Sequence, residues 1–311
     1  LDAVNKKPME NRYHFNNIFD FNELNDHKTL HPLISVIDFS KAQPRPWGGQ
    51  QSVKIHYGFY CIILKEVKCG DLKYGRNYYD YQEGTLTFVS PGQIIEIENM
   101  EPNYQPKGHG LAFHSDLLHG TTLGKHIQEY NFFSYHSNEA LHLSEKERSI
   151  VLDCLQKIQY ELESTIDKHS KKLIVSNIEM LLNYCLRFYD RQFITRENIN
   201  RGILEKFESL LNGYFLSQQS QSNGLPSVAY CAEKLNISAN YFGDIIKKET
   251  GKTAQEYIQN KIIDVAKNKI FEDERTINEI AFELGFKYPQ HFRRFFKQKV
   301  GVTPNKYRSS N

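Results

Sequence analysis

Gln290, Arg293, Arg294 and Lys297 fall on one side of a helix-period pattern whose other side is Phe292, Phe295 and Phe296. An arginine fork can bond guanine O6 and N7 through two parallel N–H groups, and a glutamine amide can pair with adenine. About fifty residues earlier, Asn240, Gly243, Asp244 and Lys247 lie opposite Phe242, Ile245 and Ile246. Asn240 suits adenine and Asp244 can accept from the cytosine amino group, whereas Gly243 has nothing to read with. Lys247, Lys248, Lys252 and Lys297 carry mobile charges that suit phosphates, which position a duplex without specifying its sequence. The expected base readers are therefore Asn240, Asp244, Gln290, Arg293 and Arg294. Ser238, Lys247, Lys248 and Lys297 are the expected phosphate contacts.

Both sets sit on a unit that occurs twice. Val228/Ile277, Ala232/Ala281, Leu235/Leu284 and Ile237/Phe286 pair at an offset of 49 residues. Phe242/Phe292, Gly251/Gly301, Thr253/Thr303 and Tyr257/Tyr307 pair at 50. A repeated core with one residue inserted in the turn predicts one small helical unit built twice. Each copy reads as a short helix, a tight turn and a longer helix. Thr276-x-x-Glu279 is a capping box, and Pro289 suits the first turn of the helix it opens. Gly285 permits the positive φ that a sharp turn needs. Asn236 does so in the first copy, where Ser238 caps the following helix. Ala232 and Ala281 are small where two helices must cross. Between the copies, Thr253-x-x-Glu256 opens a helix of about 18 residues, roughly 27 Å long. Such a spacer suits two reading helices about one DNA turn apart, near 34 Å.

Charge follows the same division. From residue 227 onward there are 15 Lys and Arg against 10 Asp and Glu, while the remaining 226 residues hold 24 against 27. The positive surplus lies on the repeat, as a polyanion-binding module requires.

The run Ile277-x-x-Ile280-Ala281-x-x-Leu284-Gly285-Phe286, then Phe292, Phe296-Lys297, Gly301, Thr303-Pro304 and Tyr307-Arg308, resembles the signature of the AraC/XylS family of bacterial transcription regulators. The resemblance covers residues 227–309. It implies tandem helix-turn-helix modules on double-stranded promoter DNA, usually as a dimer over direct or inverted half-sites. The first reading helix departs from the family in carrying Gly243 and Asp244 where relatives often have longer or basic side chains.

Ahead of the repeat, residues 33–135 read as sheet, with short Ile-, Val-, Phe- and Tyr-rich runs broken by Gly, Pro and Asn. Val53, Ile55, Tyr57, Phe59, Cys61 and Ile63 alternate as on one face of a long strand, and Leu86 and Phe88 begin another before Pro91-Gly92. This pattern suggests a barrel or jelly roll. In larger members of the family a cupin-like barrel senses a small molecule, and the segment from His56 to Gly92 is similar to that barrel. Trp47, His56, Tyr57, Phe113 and His114 are of the types that line a pocket, as well as of the types that fill a core or rim.

At Ser144 the period becomes helical. Ser144-x-x-Glu147 is a capping box before Ile150, Val151, Cys154, Leu155 and Ile158. Further stripes carry Leu173, Ile174, Ile178, Leu181, Leu182 and Cys185, then Ile203, Phe207, Leu210, Leu211 and Tyr214. The apolar-poor run at 217–226 reads as a linker. The expected architecture is thus an α+β multidomain chain. A cupin-like sensor spans 1–140, a helical dimerisation or connector region 141–216, a linker 217–226 and an all-α DNA-binding domain 227–311.

Several classes are disfavoured. No apolar run approaches the roughly 20 residues of a membrane span, and the residues that follow Leu1 do not read as a leader of signal-peptide type. Five cysteines without a CxxC pair fit reduced thiols in a cytoplasmic protein. The histidines include no H-x-H pair of the kind metal cupins use, so no metal, cofactor or catalytic residue is expected. The expected partners are promoter DNA, RNA polymerase, a second copy of the chain and a small-molecule effector whose binding residues are unknown. The alternative is a small-molecule-binding or catalytic cupin with an accessory helical domain, which metal content and turnover would reveal.

Overall fold

The computed structural model describes residues 12–42, 52–66, 84–98, 107–136, 139–195, 197–271 and 275–309. Trp47 and Cys69 lie outside them. The chain forms two compact units, Leu1–Ile194 and Thr195–Asn311.

The first unit opens with β1 (Arg12–Phe15), α1 (Ile18–Leu24) and β2 (Ile34–Asp38), followed by β3 (Ser52–Tyr57), β4 (Tyr60–Lys65), β5 (Thr85–Val89), β6 (Ile94–Glu98) and β7 (Gly108–Phe113). A short α2 (Thr122–His126) and β8 (Leu141–His142) precede the long helices α3 (Glu145–Glu163) and α4 (Ser170–Thr195). The strands make two sheets, ordered β1-β3-β6 and β2-β7-β4-β5-β8.

The long strand expected at 53–63 is two strands, one in each sheet. Gly58 makes the corner: its N–H donates to Phe15 O at 2.8 Å, and a Cβ there would sit 3.1 Å from Asn16 Cα and O. The alternation itself survives the corner. Val53, Ile55, Tyr57, Phe59 and Cys61 enter one buried core with Phe15, Phe21, Ile37, Val89 and Ala112. Both sheets therefore turn a face inward, as in a two-layer sandwich. β5 is buried on both faces, because Phe88 packs against Phe132 and Phe133, with ring centroids 4.4 and 5.6 Å away.

The capping box at Ser144 and Glu147 starts α3 as expected, with Val151, Cys154, Leu155 and Ile158 buried. Ile174, Ile178, Leu181, Leu182 and Cys185 of α4 are buried too, but Leu173, expected in the same stripe, is 46% exposed. Arg191 near the end of α4 donates to both Glu147 carboxylate oxygens at 2.9 Å and to His142 O at 2.6 Å, tying together α3, α4 and β8. Burial pushes the Cys61 thiol up to about 12, so it remains protonated and unreactive at neutral pH.

Among its described residues the second unit has helices and no strand: α5 (Glu197–Leu216), α6 (Gln219–Asn223), α7 (Val228–Lys234), α8 (Ala239–Thr250), α9 (Ala254–Ile270), α10 (Ile277–Glu283), α11 (Pro289–Val300) and α12 (Pro304–Ser309). Two expectations change here. The stripe on α5, assigned to a dimerisation or connector region, is spent inside this unit. Phe207, Leu211 and Tyr214 join its core, and Phe207 meets the Phe242 ring edge-on at 4.9 Å. The expected linker at 217–226 contains α6, whose Ser220 is buried and donates its hydroxyl to Glu283 O. Tyr214 also donates its hydroxyl to Gly224 O at 2.9 Å. A polar composition left room for packing through hydroxyls and backbone.

Among the described residues no helix is long and apolar enough to cross a membrane.

Candidate nucleic-acid interface

Each module is set by its caps and its turn. Ser227 accepts from Tyr230 N–H at the start of α7, and Ser238 accepts from Tyr241 N–H at 3.2 Å at the start of α8. In the second module Thr276 and Glu279 form both bonds of the capping box that opens α10. The turns occur at Asn236, with φ 57°, and Gly285, with φ 94°. Gly285 is required twice over, since a Cβ there would lie 2.6 Å from the Gly224 carbonyl carbon and 2.8 Å from Ser220 O. α11 begins with Pro289 in its first turn and has no side-chain cap at Tyr288.

These elements fix the inward and outward sides of α8 and α11. Phe242, Ile245 and Ile246 are buried on α8, and Phe292 and Phe296 on α11. Phe295 is half-buried, its ring 5.6 Å from that of Phe286. On the other side, Asn240, Lys247, Lys248, Gln290, Arg293, Arg294 and Lys297 are exposed and Asp244 is half-exposed. A Cβ built on Gly243 meets no atom within 4 Å, so this position also looks outward. Gln290 and Arg294 are one turn apart on α11 and share a stripe with Lys297.

Two expected contacts look different in place. Ser238 is buried and its hydroxyl is engaged as the α8 cap, which removes it from the exposed phosphate set. Arg293 donates from Nη2 to Asn278 Oδ1 of α10 at 2.9 Å. Asn278 was not among the expected residues. Its exposed place at the second position of α10 carries no periodic signal, and only the crossing of α10 and α11 brings it to Arg293.

Three carboxylates of the modules, Glu256, Glu279 and Glu283, serve structure. Thr276 N–H and hydroxyl contacts hold the Glu279 carboxyl below its ordinary range, as Thr253 does for Glu256 at the start of α9. Glu283 accepts from Lys269 Nζ at 2.8 Å and Arg275 Nη1 at 2.6 Å. On the outward sides of α8 and α11 donors and cations predominate, with Asp244 a carboxylate on α8, a set suited to base edges and phosphates.

The residues considered for a pocket in the first unit do not converge. Tyr57 is in the sandwich core, whereas His56 is on the outer side of the smaller sheet, 5.3 Å from the His14 ring. Phe113 stacks on Tyr60 at 5.2 Å, away from that core, and His114 caps the turn at Ser115–Leu118 by accepting from Asp116 N–H. Among the described residues no group of three or more His, Cys, Asp or Glu could hold a metal ion.

The family described as "Helix-turn-helix domain" matches residues 231–310. The HTH-type transcriptional regulator YtdP of Bacillus subtilis is 36% identical over 77 residues, 25% of this chain and 10% of that protein. The chain therefore spans only a tenth of YtdP. YobQ, a second HTH-type transcriptional regulator of Bacillus subtilis, is 24% identical over 263 residues, covering 79% of this chain and 95% of its own length. The TetD protein of transposon Tn10 from Escherichia coli is 32% identical over 143 residues, covering 46% of this chain and 91% of TetD. With its doubled helical module and a relative matched at this identity over nearly its whole length, the chain belongs to the AraC/XylS family of bacterial transcription regulators.

Proposed function

We propose that this chain is a sequence-specific regulator of transcription that inserts α8 and α11 into successive major grooves of promoter DNA. The observation that carries this reading is the pair of modules with one core and outward sides rich in donors and cations. α9, with 17 residues, is about 25 Å long at 1.5 Å per residue, a length that suits reading helices about one DNA turn apart. In this reading Gln290 and Arg294 read bases with Asn240 and Asp244, while Lys247, Lys248 and Lys297 contact phosphates.

The first unit supplies control. Its two-sheet sandwich supports the reading of a cupin-like sensor for a small molecule, which shifts the population of DNA-competent arrangements. Dimerisation is assigned to α3, α4 and their connection, where Tyr160, Ile166, Leu173, Leu186 and Ile194 are large and exposed. Two copies joined there gain affinity for paired half-sites through effective concentration. RNA polymerase is the partner through which such binding changes transcription, and the cytoplasm the compartment.

Selection of bound sequences from random DNA by the full chain, with and without a metabolite pool, tests these assignments together. The expected outcome is a bipartite motif with halves about 10 base pairs apart, and enrichment that changes with the pool. Uniform recovery of all sequences would remove the DNA-reading assignment. Sedimentation of the chain alone tests the dimer, and a strictly monomeric chain on paired half-sites would reject it.

A further inference from the structure

Arg293 and Arg294 are adjacent in sequence but point about 100° apart around α11. Arg294 shares its stripe with Gln290, one turn away. Arg293 leans toward α10, where its Nη2 donates to Asn278 Oδ1 at 2.9 Å. A guanidinium only donates, so the Asn278 amide must present its oxygen to Arg293 and turn both Nδ2 hydrogens elsewhere. Reading guanine uses two parallel N–H groups of one arginine aimed along the groove floor. One Nη2 hydrogen directed across to α10 ties the Arg293 guanidinium to that helix and leaves its other N–H groups for a partner at the same edge of the module.

What the pair does have is a cation and amide donors carried by two helices at one edge of the module. Both side chains are exposed. Among the described residues, the two carboxylates of α10 are engaged elsewhere: Glu279 accepts from Thr276 N–H at 2.7 Å, and Glu283 is held by Lys269 and Arg275. In a helix-turn-helix the first helix crosses the backbone at the rim of the groove that the second one enters. A donor pair bridging the two helices therefore meets the duplex at a phosphate.

We propose that Arg293 and Asn278 form a clamp for one backbone phosphodiester, with Arg293 the contacting charge and Asn278 the residue that positions it. This inference rests on the DNA-reading function above and takes Arg293 out of the base-reading set. It also separates neighbours that sequence alone treats as equivalent: Arg294 specifies and Arg293 anchors.

The test compares the full chain with Arg293→Ala, Asn278→Ala and the double variant on the operator obtained by selection, over a range of salt and on operators altered one base pair at a time. Arg293→Ala should weaken binding to all sequences alike, by about tenfold, and lower the salt slope by about one, leaving base preference unchanged. Asn278→Ala places a good helix former at an exposed site. It should weaken binding about threefold without altering base preference, and it should add nothing on top of Arg293→Ala. Loss of preference at a single base pair in Arg293→Ala would overturn the clamp, as would full additivity of the two substitutions. A wild-type chain that selects no sequence would instead bring down the DNA-reading function on which the clamp depends.

Discussion

The first helix-turn-helix turns at an exposed Asn236, whereas the second turns at Gly285 with the backbone of Ser220 and Gly224 directly over it. The modules share a buried frame of Ala232/Ala281, Phe242/Phe292 and Ile246/Phe296. They differ in how their helices start and in what their outward sides carry. α10 has a full capping box and α7 has only its serine cap; α11 offers two arginines and a glutamine where α8 offers asparagine, glycine and aspartate. The buried positions repeat between the modules, and the outward positions do not. The modules should therefore respond alike to core substitutions and unlike to everything else.

The shared frame sets the largest expected effect. Phe242→Ala and Phe292→Ala each empty a fully buried site, and each should destabilise the second unit by about 4 kcal/mol. Amide-exchange protection of residues 195–311 measures both, and unequal losses would break the symmetry of the cores. Next comes the turn. Gly285→Ala adds a Cβ against the backbone of Gly224 and Ser220 at positive φ, and should cost about 3 kcal/mol by the same measure. Asn236→Ala meets only the conformational cost, about 1 kcal/mol.

Reading comes third. Arg294→Ala should weaken binding to the selected operator by about 2 kcal/mol and relax preference at one base pair, while Asn240→Ala loses about half as much. Equal losses would mean that the two modules read with equal force. A smaller effect is expected at Gly243, where the helix carries a glycine facing open space. Gly243→Ala should stabilise α8 by about 0.5–1 kcal/mol, seen as slower amide exchange there.

The smallest difference lies in acid. Hydrogen bonds from Thr276 hold the Glu279 carboxyl below its ordinary range in the folded chain. Its contribution is present above the unfolded-chain value, about 4.3, and fades as pH falls from there through the lower folded value. Amides of the first turn of α10 should exchange faster over that window, and Glu279→Gln should remove the dependence. The α7 start, with Tyr230 where the second module has Glu279, should change less.

How much of this was legible depended on whether a residue's role is local. Caps, the turns at Asn236 and Gly285, and the buried side of each helix follow from short-range geometry, and the pattern of residues 227–309 carried them. The 3.6-residue period of α5 showed that Phe207 and Leu211 are buried but could not say against what. The two-residue period across Gly58 showed an inward face without revealing that the chain changes sheets there. Ser220 and Gly224 gave no signal because they pack through a hydroxyl and a backbone. In the candidate site, the period placed Gln290 and Arg294 outward, but a period cannot distinguish an arginine that reaches along a groove from one bonded to the next helix. That distinction rests on Asn278, which lies fifteen residues away in sequence.

The packing of Phe207 against Phe242 and Tyr257 bears on where this protein can be cut. A fragment beginning at the repeat itself, near residue 227, would strip α5 from α8 and α9 and leave that side of the first module's interior wet. An excised reader should begin close to residue 195, where the compact unit begins, and carry α5 as part of its own body.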